Sequence, residues 1–219
     1  MSKLVYDSIS LSEYKGFFKG VYKRNKKLLL LSAAIYFVSL LIGLLIGYLS
    51  PDFIGNFVVN TTQQIHSHVE LTTASIFNNN LQVAIMTYIG GATGIISAGL
   101  LFFNGFILGS LVGFLMQGDI VNSSTSNLVD ILSYILPHGI FEIPAFIIAT
   151  AAGFRITSVV IDLINSMRGK PYISDDYQKF KDSMALFAIA VVLLFIAAII
   201  EANFTIPIGN YITGLHVHV

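Results

Sequence analysis

The residues best placed to do chemistry lie in Leu136-Pro137-His138-Gly139-Ile140-Phe141-Glu142-Ile143-Pro144-Ala145, inside a mostly apolar stretch. If a helix resumes at His138, then His138 and Glu142 stand at i and i+4 and share one face. A charge at the centre of an apolar span costs at least about 3 kcal/mol on insertion scales, so such a group is expected to be paired, neutral or turned toward a cavity. His138 is the nearest candidate partner for Glu142. The pair admits three readings: two ligands of a metal site, a proton relay, or a polar clamp fixing a broken helix. A metal site needs a third ligand, and the candidates are His66, His68, Glu70 and Glu201. The clamp reading predicts that Glu142→Leu is poorly tolerated, because His138 would lose its partner in a low-dielectric span.

Other polar groups stand at the edges of apolar runs: Asn104 before Gly105, and Asn79 and Asn80 in the run Asn78-Asn79-Asn80. Turn and cap chemistry explains Asn and Gly at such places; an intramembrane polar site would use the same groups. The candidate polar set is therefore His138, Glu142, Asn104, Asn79, Asn80 and Glu201, with His138 and Glu142 as the candidate metal ligands. His216 and His218 share one face of the terminal tail. Complete catalytic motifs are missing. The chain has no His-Glu-x-x-His motif and no glycine-rich phosphate loop. Ser97 lies among small residues between Gly94 and Gly99 but has no identifiable base. Absence of cysteine excludes disulfides, thiolate zinc sites and a cysteine nucleophile. No enzyme activity and no cofactor are expected.

The elements that must position these residues are membrane spans. Of the 219 residues 55% are hydrophobic and only 11% charged, against about 25% charged in soluble domains. Net charge is zero, so nothing points to nucleic acid. The apolar run 28–49 is too long for a signal-peptide core and long enough to cross about 30 Å of hydrocarbon. Before it, residues 14, 17, 18, 21 and 22 repeat at amphipathic-helix spacing among lysines, which suits the cytoplasmic membrane surface. Helices over 81–117 would be about 55 Å long. That is too long for one upright span, so two short spans turning at Asn104-Gly105, or a re-entrant hairpin, are expected. The expected spans are 28–49, 81–103, 105–117, 139–164 and 183–202, preceded by a basic segment 1–27 and followed by a tail 203–219. The fold class is all-α integral membrane protein, a bundle of about five transmembrane helices broken near 104–105 and 137–139.

Charge placement sets the orientation. Seven of the twelve Lys/Arg residues precede residue 28, and the other five are Arg155, Arg168, Lys170, Lys179 and Lys181. The positive-inside rule puts both clusters in the cytoplasm, with 50–80, 118–128 and the C-terminus outside. The sequons at Asn60, Asn122 and Asn203 all fall on the outer side of this scheme. Small residues recur every fourth position at Gly43 and Gly47, at Gly90 and Gly94, at Gly105, Gly109 and Gly113, and at Ala145, Ala149 and Gly153. Such stripes let helix backbones approach closely. They suit packing within one bundle, a pore lining or a face for a homo-oligomer.

The chain resembles the stage II sporulation protein M family of multi-pass membrane proteins. The resemblance covers roughly residues 25–207. It rests on Phe77-Asn78-Asn79-Asn80, the glycine-rich span with Asn104-Gly105, Leu136-Pro137-His138-Gly139 with Glu142-Ile143-Pro144-Ala145, and Glu201-Ala202 before Pro207. It implies a five-span helical protein of the cell membrane without known catalysis. The namesake gathers peptidoglycan-degrading partners, so the resemblance implies a scaffold for envelope-associated proteins in the lipid bilayer. A small-molecule transporter or channel using His138 and Glu142 is the alternative, because interrupted spans commonly form midplane sites. A metal-dependent membrane enzyme is a second alternative.

Overall fold

The computed structural model describes residues 11–52, 54, 55, 72–117, 128–169 and 176–214. Asn60, His66, His68, Glu70, Asn122, His216 and His218 lie outside these residues. Among the described residues all regular structure is helical: α1 (Leu11–Leu49), α2 (Thr73–Ile89), α3 (Ile95–Leu115), α4 (Leu128–Met167) and α5 (Asp176–Ile200). A single π turn, Glu201–Thr205, then leads into the short α6 (Ile206–Thr213). The segments Gly16–Leu49, Ile95–Leu115, Ile131–Met167 and Asp176–Thr213 are long and apolar enough to cross a membrane. The outer surface is correspondingly greasy: Leu41, Leu45, Ile89, Ile95, Val129 and Val192 are all exposed, as lipid-facing positions require.

Helix α2 is shorter but runs the same height. Its first residue, Thr73, meets Asn203 near the end of α5, while Tyr88 near its other end meets Ser183 near the start of α5. Thr72 caps α2 reciprocally, with its hydroxyl accepting from the Ser75 amide at 3.2 Å and the Ser75 hydroxyl accepting from the Thr72 amide at 3.0 Å.

Two expected breaks are corrected. The turn between α2 and α3 falls at Gly90–Gly94, where Gly94 adopts φ +75°, a conformation glycine takes without the Cβ penalty. Thr157 of α4 seats this turn by donating to the Gly91 carbonyl at 2.6 Å. Asn104 and Gly105 instead lie inside an unbroken α3. Gly105 serves packing: a Cβ there would stand 2.7 Å from the Tyr36 carbonyl oxygen of α1. Likewise α4 continues through Pro137 and Pro144. Each proline removes one helical donor, but a full break would strand several backbone groups in an apolar setting.

The small-residue stripes are consumed within the chain. Gly43 and Gly47 of α1 face the backbone of Phe106 and Ser110, and Gly109 and Gly113 of α3 face the backbone of Leu40 and Leu44. The two helices touch backbone to backbone along this seam. On the other side, Ala145, Ala149, Ala190 and Leu194 are fully buried and join α4 to α5 in the main apolar core, which Tyr36, Ala84 and Leu101 complete. Gly153 of α4 sits beneath Ser97 and the Thr87 carbonyl.

The two basic clusters of the sequence meet in space. Arg24 of α1 and Arg155 of α4 both reach Asp182 of α5, at 2.6 and 3.6 Å. The Asp182 side chain is 0% exposed. Lys179 pairs with Asp162 and lies 3.5 Å from Asp176. One end of the bundle is thus knotted together by charge.

Candidate functional site

The site begins with the phase of α4. Because the helix is continuous, His138 and Glu142 fall one above the other on one face. Both line a cavity of about 440 Å³ walled also by α1, α2 and α3. Tyr36 of α1 and Asn104 of α3 supply its other polar side chains, and apolar residues such as Val83, Leu108, Ile143 and Phe146 make up the rest. Glu142 lies thirteen positions from Arg155 on α4, which places it about 20 Å along the helix from the charged end.

The end of α5 brings in a third ionisable group. Pro207 has no N–H to continue the helical ladder, and the chain passes through the π turn just before it. Thr205, at the end of this turn, donates to the Ile200 carbonyl at 3.3 Å and meets His138 Nδ1 at 3.2 Å. The following α6 is pinned to α4. The Tyr134 ring occupies the space a Cβ on Gly209 would need, and its hydroxyl donates to Asn210 Oδ1 at 2.8 Å. Held this way, Glu201 joins His138 and Glu142, and the ligand atoms of all three lie within 4.8 Å of one another.

The direct His138–Glu142 hydrogen bond that the clamp reading needs is not made; His138 Nδ1 faces Thr205 instead. Among the described residues, neither Glu142 nor Glu201 has an ion-pair or hydrogen-bond partner, and the Asn104 side chain has none either. Of the sequence candidates, His138, Glu142 and Glu201 come together, and Asn104 shares the cavity. Asn79 is exposed and Asn80 half-buried on α2, and neither lines the cavity. Sequence reasoning missed Tyr36, an aromatic in an aromatic-rich span with no local signal. It also missed Thr205, which stood out only as the threonine of the Asn203 sequon, two residues before Pro207.

An all-helical bundle with four helices long and apolar enough to cross a membrane defines a multi-pass membrane protein, and three ionisable groups cluster beside its mostly apolar cavity. The stage II sporulation protein M family profile matches residues 32–206, and the chain belongs to that family. An uncharacterized protein of Methanocaldococcus jannaschii is 31% identical over 172 residues, spanning 78% of this chain and 92% of that protein. A second uncharacterized protein of the same organism is 27% identical over 198 residues, spanning 85% of each. No solved structure matches the chain.

Proposed function

We propose that this protein is a non-catalytic membrane protein that takes a small polar or cationic ligand into its intramembrane cavity, in the manner of a transporter or channel. The observation that carries this reading is the convergence of Tyr36, Asn104, His138 and Glu142, from three helices, on one otherwise apolar cavity. Ligand sites are usually such apolar concavities with a few convergent polar groups. Ionisable side chains inside a span are expensive to keep, and they commonly mark ion or substrate sites. The proposed orientation places the Arg24–Arg155–Asp182 end in the cytoplasm of the plasma membrane, following the positive-inside rule. The N-terminus is then inside, the C-terminus outside, and the cavity in the outer half of the bilayer.

The chain has no cysteine, so single-cysteine variants report cleanly. In sealed vesicles, Asn104→Cys is expected to react with a charged methanethiosulfonate reagent at least about tenfold faster than the buried core variant Ala190→Cys. Equal rates would mean that water does not enter the cavity, and the ligand-site reading would fall.

A second reading, a scaffold for envelope-associated proteins, is favoured by the first turns of α1. At 39 residues the helix is about 58 Å long, nearly twice the hydrocarbon thickness. Its early turns expose Phe17, Phe18 and Tyr22 among Lys19, Lys23, Lys26 and Lys27. A crosslinking pull-down from native membranes tests this second reading. Partners that disappear when Phe17, Phe18 and Tyr22 are all changed to Ala would establish that surface as the dock; partners unchanged by the triple variant would dismiss it.

A further inference from the structure

We infer that His138, Glu142 and Glu201 bind one divalent transition-metal ion; this rests on the cavity reading and names the class of its ligand. Two helical elements deliver the three donors, α4 and the π turn after α5, and the donor atoms lie within 4.8 Å of one another. Donors about 2.0–2.2 Å from a tetrahedral zinc-sized ion stand about 3.4 Å apart. The set therefore closes on an ion by at most about 1.4 Å at its widest pair, a movement that side-chain rotation supplies.

The donor chemistry selects the ion. One imidazole with two carboxylates suits zinc, manganese, iron or cobalt, whereas calcium and magnesium prefer all-oxygen sets. Thr205 fixes the imidazole as a metal-binding histidine requires. Its one hydroxyl proton is committed to the Ile200 carbonyl, so its oxygen accepts from His138 Nδ1–H. Nε2 is then the nitrogen with a free lone pair. A second residue that orients the ring through its other nitrogen is the usual support for a metal-bound histidine.

Charge points the same way. Two carboxylates this close in an apolar bundle repel each other, and among the described residues no Lys or Arg pairs with either. A divalent cation balances two carboxylates and a neutral imidazole. The cavity reaches two of the three donors, which gives an ion an approach and leaves room for water or a further ligand.

The test uses the full-length protein in detergent, stripped with chelator and titrated with cobalt(II) chloride. One ion per chain with a visible d–d absorption band is expected. Glu142→Gln and Glu201→Gln should each weaken binding by about 100-fold or more, and Thr205→Val by about tenfold. Asn203→Ala, exposed beside the site, should bind as the parent does. Folded protein that takes up no cobalt, or uptake unchanged in both glutamine variants, overturns the assignment. Labelling Asn104→Cys in the same preparation separates the two claims. A reactive cavity without cobalt binding removes the metal and leaves the ligand site, while an unreactive cavity without cobalt binding removes both.

Discussion

Asp182, buried on α5, and the half-buried pair Glu142 of α4 and Glu201 of the π turn after α5 have opposite surroundings. At the charged end, the Asp182 carboxylate accepts from Arg24 Nε at 2.8 Å, Arg24 Nη2 at 2.6 Å, Asn25 Nδ2 at 3.0 Å and Gln178 Nε2 at 2.9 Å. That fills the roughly four lone-pair positions a carboxylate offers. About 20 Å away along α4, Glu142 and Glu201 stand together, and among the described residues neither has an ion-pair or hydrogen-bond partner. A saturated carboxylate works as architecture: it ties α1 to α5 and draws in Arg155 of α4. An unsaturated pair beside a cavity ties no helices together, and it is the pair that the proposed cation would complete.

The contrast can be broken or sharpened by substitution, beginning with the largest expected effect. Asp182→Ala leaves Arg24, Asn25 and Arg155 without their shared acceptor. Breaking such a buried pair costs about 3–5 kcal/mol; the 39% exposure of Arg24 puts this case near the lower bound. A large drop in detergent melting temperature checks it. Next, Gly109→Ala drives a methyl group into the Leu40 backbone of α1. Overpacking of this kind costs about 1–3 kcal/mol, read in the same melting assay. A loss below about 0.5 kcal/mol would show that the α1–α3 seam can open.

Smaller effects sharpen the other side. Glu142→Gln in chelator-treated protein is expected to leave stability unchanged or raise it by about 1 kcal/mol, because it removes carboxylate repulsion without breaking a bond. This outcome is opposite to that of a His138–Glu142 clamp. Asn79→Ala, on the exposed face of α2, should change stability by no more than about 0.5 kcal/mol. A larger loss would mean that the polar site extends to α2.

Much of the helical layout was legible because hydropathy and charge act over whole segments. The run 28–49 and the two basic clusters announce spans and a common end, and Arg24 and Arg155 do converge on one carboxylate. The position of the α2–α3 turn was not legible. Gly105 and Gly94 are the same residue type in similar apolar runs, yet one is needed for close helix contact and the other for positive φ. Only the neighbouring helix distinguishes them. Pro137 misled in the same way, since its local rule predicts a break and the surrounding bundle keeps α4 intact. Within the site, i, i+4 spacing put His138 and Glu142 on one face, but the pairing of His138 with Thr205 is a contact across 67 positions. The role of Asp182 had no signal in the sequence, because saturation is a property of its neighbours.

The most direct test compares melting curves of the parent, Glu142→Gln and Asp182→Asn, each with and without added cobalt(II). The two-cluster account predicts that Asp182→Asn melts well below the parent under both conditions yet still rises when cobalt is added. It predicts that Glu142→Gln matches or exceeds the parent without metal and gains nothing from it. Loss of stability by Glu142→Gln equal to that of Asp182→Asn in metal-free buffer would contradict the account, making both clusters architecture.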